Sequence, residues 1–282
     1  MKIGRFEIEQ LSEGVFEVFE DGIIHKSDSK DIKHPKLPSG VKSTSSHIGI
    51  NPLLIRDGKH NVLIDTGLGW GLDHKSKYEN TSNLLTNLDI FGLTPADITH
   101  VVLSHLHFDH AAGSTFVDNN SATQPTMSYA NYFLQKKEWY FALEQMQNPT
   151  KTRGAGYNLD ELYKLAAEDK LALITDELFN LLPGIDLIRT GGHTPGHQIV
   201  KIQDNGETAY FLGDLVPSEY HLNHYAMRQM DIDPVQTKKA KTLILRQALE
   251  QEAVLLFYHS IHAKSGKLQQ DKDKKFILKE IQ

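Results

Sequence analysis

Four side chains that bind metals or carry protons fall within six residues, His105-Leu106-His107-Phe108-Asp109-His110. On an extended or tightly turned segment His105 and His107 point the same way, and Asp109 and His110 lie one step beyond. Imidazole and carboxylate are the ligands that Zn²⁺, Mn²⁺ and Fe²⁺ accept where no thiolate is offered. Four such groups are costly to bury unless something compensates them, and a metal does. A solvated histidine-rich loop is the competing reading. The apolar flanks, Val101–Leu103 before and Ala111-Ala112-Gly113 after, are a poor setting for a polar surface tract.

Three further places carry compatible chemistry. In Gly192-His193-Thr194-Pro195-Gly196-His197 two glycines and a proline make a rigid turn that projects one histidine. His193 is the expected ligand, and His197, at the start of the next strand, the expected hydrogen-bonding partner. Asp214 follows Gly213 after the apolar run Ala209–Leu212 and suits a ligand between two cations, although Gly-Asp is also a common turn. His259 follows Val254–Tyr258; its place at a strand end selects it over His262, which precedes the polar Lys264-Ser265-Gly266. Tyr220, His221 and His224 either line a pocket or form a surface loop. Arg228 could meet an anion, but nothing selects it over the other arginines. Trp70 and Trp139 read as core or lid packing, and Asp271–Lys275 as a solvated hairpin or tail.

The elements that must position these groups follow from periodicity. Phe6–Leu11 and Val15–Phe19 alternate as a pair of strands, and Ile48–Ile55 and Asn61–Asp65 as two more joined across Asp57-Gly58. Glu20 to His47 is polar, contains Pro35 and Pro38, and is too long for a simple connection, which predicts disorder or a lid over a pocket. Thr81–Phe91, Lys136–Met146, Leu159–Glu168 and Pro234–Glu252 have helical spacing, the last with Ala240, Leu243, Ile244 and Ala248 on one face; Thr94-Pro95 is a helix start. His100–Leu103, Ile185–Thr190, Gln198–Gln203, Thr208–Leu212 and Ala253–Tyr258 read as strands. Helices and strands alternating in this order predict a layered α/β domain with helices outside the sheets.

Composition narrows the function. The 282 residues run without a visible boundary, repeat or low-complexity tract, so 1–282 is expected to be a single domain, with 20–47 as its lid or pocket loop. A net charge of −6 without a basic run argues against nucleic acid. The absence of cysteine excludes disulfides, thiolate metal sites and a cysteine nucleophile. No apolar run approaches the about 20 residues of a membrane span and no signal-peptide core is visible, which predicts a cytoplasmic protein that acts on a small-molecule substrate away from membranes. A homodimer is compatible with all of this.

Leu63-Ile64-Asp65-Thr66-Gly67, the HxHxDH motif at His105–His110, Gly192–His197, Gly213-Asp214 and the late His259 together resemble the ordered signature of the metallo-β-lactamase superfamily, over most of the chain. The resemblance implies a four-layer αββα sandwich with metals at one edge of the two sheets. It assigns His105, His107 and His193 to one metal, Asp109, His110 and His259 to a second, and Asp214 to both. Asp65 would orient ligands, where its alternative is an ordinary turn aspartate. Two divalent ions are implied, zinc as first choice with Mn²⁺ or Fe²⁺ also suited to the donors. A shared water turned to hydroxide would attack a carbonyl or phosphorus. Asp214 would hold both ions, and Asp109 would pass the proton to the leaving group.

The segment before Leu63 and Asp231-x-Asp233-Pro234 further resemble the branch of acyl-homoserine lactone lactonases and methyl parathion hydrolase. Some lactonases of that branch carry a tyrosine three residues after the bridging aspartate, where this chain has Pro217. The leading expectation is a lactone or ester hydrolase with a phosphotriester side activity. The alternatives are an iron-dependent persulfide dioxygenase, which would not need the second ligand set, nucleic-acid processing, which the charge opposes, and a non-enzymatic binding module, which the intact ligand set opposes.

Overall fold

The computed structural model describes residues 1–19, 24–26, 45–69, 72, 83–147, 157, 162–223, 228 and 230–280. Two seven-stranded sheets dominate it. The first runs in the order Lys2–Ile3, Phe6–Gln10, Leu53–Arg56, Asn61–Ile64, His100–Val102, Asn131–Gln135 and Leu171–Ile174. The second runs Leu178–Leu182, Ile185–Arg189, Gln198–Asp204, Glu207–Phe211, Val254–Leu256, Ser265–Gln270 and Phe276–Glu280.

Burial explains the layering. Phe6, Ile8, Leu53, Ile55, Val62, Ile64 and Val102 from the first sheet meet Ile185, Leu187, Val200, Ile202, Ala209, Phe211, Val254 and Leu256 from the second in one buried cluster. The alternate residues of the same strands, Leu54, Leu63, Val101, Tyr132 and Leu134, face a second cluster shared with the helices Leu84–Ile90, Lys136–Gln147 and Tyr163–Ala167. Ile199, Tyr210 and Leu255 face a third, under the helix Pro234–Glu250. Strands apolar on both faces are what a sheet covered on both sides requires. The fold is the αββα sandwich.

Two parallel strand pairs set the functional edge. Asn61–Ile64 lies parallel to His100–Val102 with Ile64 opposite Val102, and Glu207–Phe211 parallel to Val254–Leu256 with Phe211 opposite Leu256. Their carboxyl ends deliver Asp65, Ser104 to His110, Asp214 and His259 to one side of the molecule, where ligands of open α/β sheets are commonly placed.

Several expectations need correction. Phe6–Gln10 and Gly14–Phe19 do not pair with each other: the first joins Leu53–Arg56, and the second lies in a separate three-stranded sheet between Ile24–Lys26 and Ser45–Ile50. Ile48–Ile55 is accordingly broken at Asn51-Pro52, and its halves serve different sheets. The expected hairpin across Asp57-Gly58 forms, with Leu53 opposite Ile64. Thr94 caps only a three-residue 3₁₀ turn, Pro95–Asp97, closed by a capping box. On the helix Pro234–Glu250 the buried side is Thr237, Lys241, Ile244, Leu245 and Ala248, and Leu243 is exposed. The two ends of the 20–47 segment, Ile24–Lys26 and Ser45–His47, are strand; the rest of it, where a lid was expected, lies outside the described residues, as do Trp70 and His224. Trp139 packs in the core, and Asp271–Lys275 turns the hairpin between the last two strands. No helix among the described residues is long and apolar enough to cross a membrane.

Candidate metal centre

Seven side chains converge at the sheet edge. Three groups have ligand atoms within 4.8 Å of one another: His105, His107 and His193; His105, His110 and Asp214; and Asp109, His110 and His259. All but His259 are buried. His262, by contrast, is exposed.

The hydrogen bonds on the far side of each imidazole decide which nitrogen faces inward. Ser104 Oγ has one proton, which it gives to Asp65 Oδ2 at 2.7 Å, so it accepts from His105 Nδ1 at 3.0 Å and leaves Nε2 free. His110 Nδ1 donates to Asp65 Oδ2 at 2.7 Å, and His259 Nδ1 to the Gly49 carbonyl at 2.9 Å. His193 Nδ1 lies 3.0 Å from Asp231 Oδ1. Each arrangement points an Nε2 lone pair at the centre, the orientation that carboxylates and carbonyls behind a histidine impose in metal sites. His107 presents Nδ1, 2.9 Å from His105 Nε2 and 3.0 Å from His193 Nε2.

Asp214 lies between the groups. Its Oδ2 is 3.2 Å from His193 Nε2, and its Oδ1 is 3.2 Å from His259 Nε2 and 3.4 Å from His110 Nε2. Asp214 Oδ1 is buried without a hydrogen-bond donor. A buried acceptor left unsatisfied costs about 1–3 kcal/mol, and more when it is charged. An orphaned carboxylate oxygen among inward-facing lone pairs is a donor set that fits divalent cations.

His197 occupies the same pocket wall with both nitrogens engaged. Its Nε2 accepts from the Asp214 amide at 2.9 Å and its Nδ1 faces Thr190 Oγ1 at 2.7 Å. Burial, then the neighbouring His193, holds its imidazole well below the usual range, so it stays neutral and fixes the Asp214 backbone. The preceding Gly213 has φ +48, and a Cβ there would come within 2.8 Å of His197 Nε2. Both facts explain the glycine before the aspartate. Asp65 sits at φ 58, tolerated by aspartate, with Oδ1 accepting the Ser104 amide at 2.6 Å.

The electrostatics favour cations. Burial opposes charge on His110, yet the Asp109, Asp65 and Asp214 carboxylates around it, with the hydrogen bond to Asp65, raise its imidazole to about 10. Burial opposes ionisation of Asp214, but His259, His193 and Arg228 outweigh it and hold its carboxyl well below the ordinary range.

Sequence reasoning left several contributors unassigned. Arg228 donates to Asp214 Oδ2 at 3.1 Å and to Asp231 Oδ1 at 3.0 Å, which selects it among the arginines. Tyr258, read only as part of an apolar run, stacks on His110 at 4.0 Å and donates from its hydroxyl to the Asp109 carbonyl. The Pro217 carbonyl accepts the His259 amide at 2.8 Å, a structural task at the position where a tyrosine was looked for. Tyr220 is exposed, and His221 Nδ1 pairs with Ser218 Oγ at 2.8 Å. The signal for Asp231 was visible in Asp231-x-Asp233-Pro234: Asp233 caps the helix through the Gln236 amide, and the Ile232 and Asp233 amides bind the His193 and Gly192 carbonyls.

An N-acyl homoserine lactonase of Bacillus cereus is 28% identical over 156 residues, 50% of this chain and 53% of that protein. Another, from Bacillus sp, is 24% identical over 226 residues, 73% of this chain and 78% of the relative. The first match thus spans about half the length of its relative. Among solved structures, a probable metal-dependent hydrolase from Staphylococcus aureus superposes over 100% of both chains with TM-score 0.75 and 26% identity. AidC, a dizinc quorum-quenching lactonase, superposes over 100% of this chain and 97% of its own with TM-score 0.72 at 20% identity, a likeness of fold. The family model of the metallo-β-lactamase superfamily matches residues 48–266, which takes in every side chain of the centre described above, and the chain belongs to that superfamily.

Proposed function

We propose that the protein is a metal-dependent hydrolase of small lactones or esters, holding two divalent cations between its two sheets. The observation that carries this reading is Asp214, whose two carboxylate oxygens face different histidine groups at 3.2 Å each. His105, His107 and His193 would hold one cation, Asp109, His110 and His259 the other, and Asp214 both. Zinc is the first choice of metal, and an all-nitrogen and oxygen set also suits Mn²⁺ and Fe²⁺. Such ions, when bound, supply Lewis acidity toward the substrate oxygen and a water acidified to near neutral pH.

The chain's own residues then have separate tasks. Asp214, oriented by His197 at its backbone and Arg228 at Oδ2, keeps the two halves in register. Asp109, with Oδ2 3.5 Å from His259 Nε2 and a slightly exposed side chain, would take a proton and return it to the leaving alkoxide. Arg228, donating to Asp214 Oδ2 and to Asp231 Oδ1, would steady the bridging carboxylate from behind. Likeness to proteins named N-acyl homoserine lactonases supports lactones within this class, and phosphotriester cleavage is the expected side activity.

A panel of lactones, aryl esters, phosphotriesters, thioesters and β-lactams tests the reading. Turnover of lactones or aryl esters, abolished by chelation and restored by a divalent metal, is expected. No turnover across the panel, together with oxygen consumption on a persulfide, would replace hydrolysis with the dioxygenase reading.

A further inference from the structure

The helix Lys136–Gln147 contributes no ligand, yet its Glu138 is fully buried behind the centre. Oε1 accepts the Leu106 amide at 3.1 Å, between His105 and His107. Oε2 accepts the Thr194 hydroxyl at 2.6 Å and the Gly196 amide at 3.1 Å, in the turn that carries His193. Gly196 is required for this approach, since a Cβ there would stand 2.2 Å from the Glu138 amide nitrogen. One carboxylate therefore ties together the two chain segments that supply His105, His107 and His193.

We propose that Glu138 is a positioning residue that sets the spacing of these three histidines, and so the affinity of the first cation pocket, without touching the second. All three partners are donors, two of them backbone amides that can do nothing else. The clamp therefore needs both carboxylate oxygens as acceptors. Burial outweighs the opposing Thr194, Leu106 and Gly196 donors and leaves the carboxyl raised to about 7, so the clamp rests on the geometry of these three bonds. An amide at this position cannot serve both sides: whichever way it is turned, its NH₂ faces a donor.

The inference rests on the two-cation reading, and the test separates the two. Zn²⁺ release from the loaded protein to a competing chromophoric chelator resolves the two ions. Glu138→Gln should release one ion on the order of 10–100-fold more readily, the range typical for groups that orient ligands, and the other within about twofold of the parent. Thr194→Val should produce the same selective loss with smaller size, and Thr194→Ser, which keeps the hydroxyl, should behave as the parent. Thr194→Val carries the test if Glu138→Gln does not fold. Weakening of both ions together, or release unchanged from the parent in Glu138→Gln, overturns the clamp. A His193→Ala control that releases both ions as the parent does would instead overturn the cation pocket itself.

Discussion

His193 Nδ1 has two competing neighbours, Asp231 Oδ1 at 3.0 Å and Arg228 Nη2 at 2.7 Å. A guanidinium can only donate, so facing it would put the imidazole proton on Nε2 and remove that nitrogen as a ligand. Asp231 does the reverse and frees Nε2, while accepting Arg228 itself at 3.0 Å. Asp231→Ala, which leaves Arg228 as the partner of Nδ1, is expected to weaken metal binding by about 10–100-fold, measured by chelator competition. Unchanged affinity would show that Asp231 does not choose the tautomer. At the late histidine, His259→Ala is expected to lose one ion and most activity, and His262→Ala, altering an exposed ring, to keep both ions by elemental analysis. The reverse pattern would reassign the second set. The inward-facing residues were legible because their types are rare in such apolar surroundings. Glu138 and Arg228 were not: Glu138 meets its partners 32, 56 and 58 residues away, and no local pattern marks a side chain whose partners are that distant.

Among the elements, the strands that end at the centre were readable from short apolar runs followed by a polar residue, as in Val101–Leu103 and Val254–Tyr258. Partnership was not. Phe6–Gln10 and Gly14–Phe19 both alternate, and alternation says that one face is buried without saying against which neighbour. Leu171–Ile174, a half-exposed strand at the end of the first sheet, carries too little contrast to be recognised. The hairpin at Asp57 was readable because its turn chemistry is local. Asp57 Oδ1 accepts the Lys59 and His60 amides at 2.9 and 2.6 Å, and Oδ2 faces His60 Nδ1 at 3.0 Å. Burial opposes ionisation there, but these bonds lower the carboxyl to about 2. A folded-state value below the ordinary 3.8 means that the contribution to stability is complete above that value and is lost as pH falls through about 2. Asp57→Ala should therefore lower the urea midpoint near neutral pH, with the gap to the parent closing as pH drops from about 4 toward 2. A gap independent of pH would assign the effect to the turn backbone instead.

For the whole molecule, the two sheets share a single apolar interior and meet the centre along one edge, so the site is a product of the sandwich more than of any one motif. Each sheet supplies part of the donor set: Asn61–Ile64 and His100–Val102 lead to Asp65 and His105–His110, and the second sheet brings His193, Asp214 and His259. The motifs, scattered over most of the chain, were joined in advance only through their resemblance to the metallo-β-lactamase superfamily, and the segments between them carry no such ordered signature. The central claim is that the assembled edge holds two cations that act together in hydrolysis. Metal content, measured by elemental analysis during stepwise reloading of chelated protein and plotted against lactone turnover, tests it most directly. Close to two divalent ions per chain at saturation are predicted, with turnover rising as the second ion binds. Full turnover at one ion or fewer per chain would contradict the account.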